Sequence, residues 1–140
     1  NNGASEIDMV INIGKLIEGD FNYVENEIRE IKAVIGDTVL KVILENCYLH
    51  KNQIKKVCEL SINTGADFVK TSTGFGTNGA NLADVALMIE SVKGKAQIKA
   101  AGGIRDITTA KKYIEMGVTR LGTSSGVSLV KTGVSDKNNY

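Results

Sequence analysis

The sequence contains no proline, no tryptophan, one histidine and two cysteines, and only 5% of its residues are aromatic. Proline usually makes up about 5% of a chain, and nothing else in the composition explains its absence here. Cys47 and Cys58 do not stand at metal-ligand or redox-motif spacing, and no metal site is expected. Cys58 reads as a helix core residue and Cys47 as a strand-end or loop residue, both expected to stay reduced thiols. The sole histidine, His50, reads as a solvated loop residue beside Lys51. Neither sign of charge is in excess: 17 basic and 16 acidic residues leave a formal net charge of +1. That balance excludes the electrostatic signature of a nucleic-acid or membrane partner. No apolar run approaches the roughly 20 residues of a membrane span, and no charged-then-apolar leader opens the chain. A cytoplasmic protein is therefore expected. The 42% hydrophobic content of 140 residues is enough for one buried core, hence a single domain.

What the chain does contain is a repeat. Glycines 3, 36, 65, 94 and 117 are each followed by two or three small or polar residues and then a run rich in Val and Ile. A glycine just past a helix end can adopt the left-handed conformation that caps it. The segments before four of these glycines carry apolar residues at helical spacing. Over Phe21–Ile35 the stripe is Phe21, Val24, Ile28, Ile31 and Ile35; over 53–64 it includes Ile54, Val57 and Cys58. Over 82–93 it is Leu82, Val85, Ala86, Ile89 and Val92. Asp106 can cap a helix running to Met116 with Ala110, Tyr113 and Ile114 inward. Strand and helix alternating at this period predict βα units on a parallel sheet with right-handed crossovers. Two architectures remain open, a doubly wound open sheet and a (β/α)8 barrel. Five units do not close an eight-stranded barrel, so a barrel reading implies that further N-terminal strands belong to the fold.

The strands carry charge where a sheet covered by helices should be apolar on both faces. Ile7, Met9 and Ile11 oppose Glu6, Asp8, Val10 and Asn12; Leu40, Val42 and Leu44 oppose Lys41, Ile43 and Glu45; Val69 and Thr71 oppose Phe68, Lys70 and Ser72; Ile98 and Ala100 oppose Lys99 and Ala101. Asp8, Lys41, Lys70 and Lys99 thus share one face of four consecutive strands. In a barrel they would converge near the C-terminal mouth, where active sites of that fold lie. Two unit charges about 4 Å apart at an effective dielectric near 20 repel by roughly 4 kcal/mol, enough to depress a crowded lysine by up to about three pKa units. A neutral amine near neutral pH suits imine formation with a carbonyl compound, and a nearby aspartate suits proton transfer through water.

Two glycine-containing stretches follow the last two strands. Gly102-Gly103-Ile104-Arg105 precedes the Asp106 helix, and Gly122-Thr123-Ser124-Ser125-Gly126 precedes a short helix around 127–131. Loops in this position form the recurring phosphate site of (β/α)8 barrels; ordinary βα turns are the alternative.

Five segments together resemble the deoxyribose-phosphate aldolase family. They are Glu6-Ile7-Asp8-Met9-Val10-Ile11-Asn12, Leu40-Lys41-Val42-Ile43, Gly65-Ala66-Asp67-Phe68-Val69-Lys70-Thr71-Ser72-Thr73-Gly74-Phe75, Lys99-Ala100-Ala101-Gly102-Gly103-Ile104-Arg105 and Gly122-Thr123-Ser124-Ser125. The resemblance implies an α/β (β/α)8 TIM barrel of which this chain supplies about five units, the family's fourth to eighth strands. Residues 1–134 would be a partial barrel domain and 135–140 a flexible polar tail. It implies a class I aldolase that cleaves 2-deoxy-D-ribose 5-phosphate reversibly to D-glyceraldehyde 3-phosphate and acetaldehyde. Lys70 would form the Schiff base, Lys99 beside it would keep that amine from holding its proton, and Asp8 would relay protons with a water. Lys41 and Thr73 would support them. Gly102, Gly103, Gly122, Ser124 and Ser125 would hold the phosphate. Tyr140 would assist proton transfer or simply end an unstructured tail. No cofactor or metal is implied. The partners are a small sugar phosphate and an aldehyde, with homo-oligomerisation compatible. The sequence departs from the pattern at Ala100, where many members have proline. Another phosphate-binding barrel enzyme, such as a sugar-phosphate isomerase or synthase, and an inactive aldolase fragment are the alternative readings.

Overall fold

The computed structural model describes residues 3–133; Tyr140 and the 135–140 tail lie outside them. Within them, five strands alternate with helices: β1 (Glu6–Val10), α1 (Ile13–Glu18), α2 (Phe21–Ile35), β2 (Val39–Ile43), α3 (Lys51–Asn63), β3 (Phe68–Lys70), α4 (Leu82–Val92), β4 (Gln97–Ala101), α5 (Ile107–Glu115), β5 (Arg120–Gly122) and α6 (Gly126–Thr132). All strand pairs are parallel, in the order β1-β2-β3-β4-β5. A doubly wound sheet reverses its strand order at a switch point; this sheet does not, and the open alternative drops out.

The predicted helices form where the apolar stripes lie. Asp20, Asn81 and Asp106 cap α2, α4 and α5 by accepting from the backbone N–H three residues on. The five glycines that punctuate the repeat all take positive φ, between 57° and 103°. Three details differ from expectation. On α4 the buried stripe is Val85, Met88 and Val92, and because these residues, spaced by three and four, fill its inward face, Leu82 (42% exposed) and Ala86 lie outside it. Helix α1 carried no periodic stripe, having six residues and one buried side chain, Leu16; it forms because Asn12 caps it and Gly19 ends it in the left-handed conformation. Ile114 faces outward, 57% exposed, because Ala110 and Tyr113, three apart, already occupy the inward stripe of α5. Among the described residues, no helix is long and apolar enough to cross a membrane.

The apolar strand face, with Met9, Ile11, Leu40, Val42, Leu44, Val69, Ile98 and Ala100, packs with Val24, Ile28, Ile54, Val57, Cys58, Val85 and Met88 of the helices in one core. The charged strand face is left on the other side. In a flat sheet β1 and β5 would lie about 19 Å apart. Yet Arg120 of β5 forms an ion pair with Glu6 of β1, and Lys99 of β4 reaches Asp8 of β1 at 3.0 Å. The sheet therefore curls about its charged face, as a barrel wall does.

Candidate active site

The curl converts four positions in sequence into one cluster. Asp8 is the centre of it. Its Oδ1 accepts from Lys41 at 2.7 Å, and its Oδ2 accepts from Lys70 at 2.8 Å and from Lys99 at 3.0 Å. Lys41 also pairs with Glu6 at 2.7 Å, and Glu6 in turn holds Arg120. Phe68 is buried on the same face, and the Arg120 guanidinium lies 5.0 Å from its ring centroid. The register explains the convergence: Asp8 pairs with Lys41 on the neighbouring strand, and Lys70 with Lys99.

The expectation of three mutually repelling ammonium groups needs amending, because Asp8 stands between them. Burial pushes the Asp8 carboxyl up, but hydrogen bonds from Lys41, Lys70 and Lys99 outweigh it and hold the group well below the usual carboxylate range. Burial also pushes the Lys41 ammonium down, and the hydrogen bonds to Asp8 and Glu6 more than reverse this, so its pKa is raised. Lys99 shows the opposite balance. Its burial, with repulsion from Lys70 and Lys41, wins over the bond to Asp8 and lowers its pKa. Lys41, expected in a supporting role, bonds directly to Asp8 with a side chain only 4% exposed.

Lys70 ends β3 and also lines a cleft of about 290 Å³ at the C-terminal edge of the sheet. The other walls are Thr73, Gly74 and Phe75 from the loop after β3, Ala101 to Arg105 from the end of β4 and the loop after it, and Gly122, Thr123 and Ser124 from the end of β5 and the loop after it. The lysine thus opens onto the two glycine loops. Gly102, Gly103, Gly122 and Ser124 all face this cleft. Ser125 stands one residue further along, at the N-cap of α6, where its N–H donates to the Thr123 hydroxyl at 3.0 Å. Close backbone packing sets the cleft's shape. A Cβ on Gly79 would come within 2.3 Å of the Gly102 carbonyl, and the Ala80 N–H donates to both Ala101 and Gly102 carbonyls.

Several residues here were not singled out from sequence. Arg120 lies on the charged face of β5, a strand for which no inward face was assigned. Thr123 bridges the last two loops, donating to the Ile104 carbonyl at 2.8 Å. Glu45 is buried at the end of β2, and its carboxylate accepts from both the N–H and the hydroxyl of Thr73. His50 is exposed at the N-cap of α3, as expected for a solvated residue. Cys58 is buried in α3, which pushes its thiol up to about 12, and Cys47 is half-buried and also free. Among the described residues, no group of three or more His, Cys, Asp or Glu side chains is placed to hold a metal ion.

Comparison with known proteins places this arrangement among relatives. Residues 1–134 match the family described as DeoC/LacD family aldolase. A deoxyribose-phosphate aldolase of Exiguobacterium sibiricum is 52% identical over 135 residues, covering 96% of this chain and 61% of its own length. One from Deinococcus radiodurans is 53% identical over 131 residues, covering 94% and 60%. Among solved structures, an aldolase called QR15 superposes with a TM-score of 0.86 at 46% identity, covering 90% of this chain and 57% of its own. The tetrameric deoxyribose phosphate aldolase of Aeropyrum pernix superposes with a TM-score of 0.81 at 31% identity, covering 93% and 56%. The chain thus spans about three fifths of the curated relatives it matches. The five units correspond to part of the TIM barrel of these aldolases.

Proposed function

Because the chain belongs to the DeoC/LacD family of aldolases, we propose that it is the Schiff-base-bearing portion of a class I aldolase. The reaction is reversible cleavage of 2-deoxy-D-ribose 5-phosphate to D-glyceraldehyde 3-phosphate and acetaldehyde. One observation carries this reading. Lys70 lines the same cleft as the two glycine loops and shares an oxygen of Asp8 with Lys99.

The chemistry follows from those neighbours. The Lys70 amine adds to the C1 carbonyl and water leaves, giving a protonated imine. The proton of the C3 hydroxyl is removed, the C2–C3 bond breaks, and its electron pair flows into the imine. D-Glyceraldehyde 3-phosphate departs and the enamine of acetaldehyde remains on Lys70. Protonation of that enamine at C2 and addition of water return acetaldehyde and the free amine. The imine is the electron sink, so the reaction calls for no metal or organic cofactor. Asp8, anionic at neutral pH, accepts and returns protons through water. Lys99, whose ammonium is weakened by burial and by its neighbours, releases its proton more readily than an exposed lysine. Backbone N–H groups at Gly103 and Gly122, with the Ser124 hydroxyl, suit the phosphate oxygens; the Gly102 N–H donates to the Gly122 carbonyl at 3.2 Å, so Gly102 shapes the loop around them.

The enamine gives a direct test. In deuterium oxide, the protein should exchange the methyl hydrogens of acetaldehyde for deuterium, read by NMR, and Lys70→Met should abolish the exchange. Equal exchange in Lys70→Met would remove Lys70 from the chemistry and leave another phosphate-binding barrel reaction in its place.

A further inference from the structure

Glu45 is an unusual residue for its place. It lies two residues past β2, is 4% exposed, and adopts a left-handed backbone, φ 55° and ψ 61°, that non-glycine residues seldom take. Backbone bonds bracket it on both sides: the Leu44 N–H donates to Lys70, and the Asn46 N–H donates to Thr71, both at 2.9 Å. The conformation sends the side chain across to the loop after β3. There the carboxylate accepts from the Thr73 N–H at 3.2 and 3.3 Å and, in a short contact, from the Thr73 hydroxyl. Among the described residues it forms no ion pair within salt-bridge distance. A buried carboxylate without a cation is costly, and strained backbone of this kind gathers at functional sites.

Thr73 is held in a defined hydrogen-bonding state as a result. Its hydroxyl proton goes to Glu45, and one lone pair takes the Phe75 N–H at 3.0 Å. A hydroxyl has one donor and two acceptor sites, so what Thr73 presents to the cleft is a lone pair. The loop then closes over the carboxylate: a Cβ on Gly76 would lie 3.1 Å from Glu45 Oε1 and 2.7 Å from Cys47 Sγ. Thr73, Gly74 and Phe75 form the wall of the cleft facing the glycine loops, three to five residues beyond Lys70.

We infer that Glu45 is a positioning residue: its buried carboxylate anchors the Thr73–Gly74–Phe75 wall and fixes the Thr73 hydroxyl as an acceptor for a hydroxyl group of the bound sugar phosphate. This rests on the function proposed above. The acceptor selects a polyhydroxylated substrate and is irrelevant to acetaldehyde, which has no hydroxyl to donate.

The test uses Glu45→Gln, Thr73→Val and Thr73→Ser, each treated with cyanoborohydride and either acetaldehyde or deoxyribose 5-phosphate, with the trapped adduct counted by mass spectrometry. Glu45→Gln and Thr73→Val should raise the half-saturating concentration of the sugar phosphate about tenfold, the worth of a hydrogen bond near 1.4 kcal/mol. The half-saturating concentration of acetaldehyde should not change, and Thr73→Ser should behave as the parent. A merely structural role would move both substrates together, and that result overturns the inference, as does an unchanged sugar-phosphate value. If the parent traps neither substrate, the aldolase reading fails. The anchor is then judged by hydrogen exchange alone: the Thr73 and Phe75 amides should lose protection in Glu45→Gln, and unchanged protection refutes it.

Discussion

Replacing Asp8 by asparagine removes the charge that the cluster is built around and leaves its shape nearly intact. Lys70 and Lys99 both contact Oδ2, at 2.8 and 3.0 Å. Their ammonium groups are therefore no more than about 6 Å apart, where an effective dielectric near 20 gives a repulsion of roughly 3 kcal/mol. In the parent this is offset by two ion pairs to one oxygen. Without them it is worth up to about two pH units in the protonation of the pair. The Asp8 side chain is 29% exposed, so solvent screening reduces the expected shift to roughly one unit. The assay is trapping of the acetaldehyde imine with cyanoborohydride across a pH series. Asp8→Asn should move the midpoint of trapping about one pH unit lower, while deuterium exchange into the acetaldehyde methyl group slows about 10²- to 10⁴-fold for want of the proton relay. A midpoint that stays put or moves to higher pH refutes the view that Asp8 governs the charge of the lysines.

Other outcomes follow from the same geometry. Lys41→Met leaves Asp8 without its most buried partner, and because that carboxylate is partly exposed the expected loss is about 1–3 kcal/mol in urea unfolding, with an unchanged midpoint contradicting it. Gly79→Ala forces a Cβ onto the Gly102 carbonyl at 2.3 Å; rigid backbone on both sides should cost about 1–3 kcal/mol, seen as a lower thermal midpoint. Acid should unfold the protein in part through Asp8. Its folded pKa lies below the unfolded value near 3.9, so its stabilisation is complete above about pH 4 and is lost as pH falls toward the folded value. Asp8→Asn should flatten that part of the stability profile, and an unaltered profile would deny the linkage. The 140-residue chain on its own should turn over little substrate and should self-associate in sedimentation, because β1 and β5 each pair with one strand only among the described residues.

Much of this was legible before any coordinates. The glycine-punctuated repeat told of βα units, and the alternation within each strand placed Asp8, Lys41, Lys70 and Lys99 on one face. Periodicity reports which face a residue takes and not which strands meet across it. Hence the Asp8 bridge among the lysines and the Glu6–Arg120 pair between the outer strands became visible only with the curl of the sheet. Glu45 sat on the expected face, but its reach to Thr73 depends on a left-handed backbone that nothing in the alternation announces. Helix α1 depends on a cap and a glycine rather than an apolar stripe, and Ile114 was misplaced because two inward positions already fill the width of its helix.

The most direct measurement is the site of the trapped adduct. After incubation with acetaldehyde and borohydride, peptide mapping should find a single N-ethyl group on Lys70, with Lys41 and Lys99 unmodified. An adduct on Lys99 in place of Lys70, or none on either, would contradict the assignment of the Schiff-base amine.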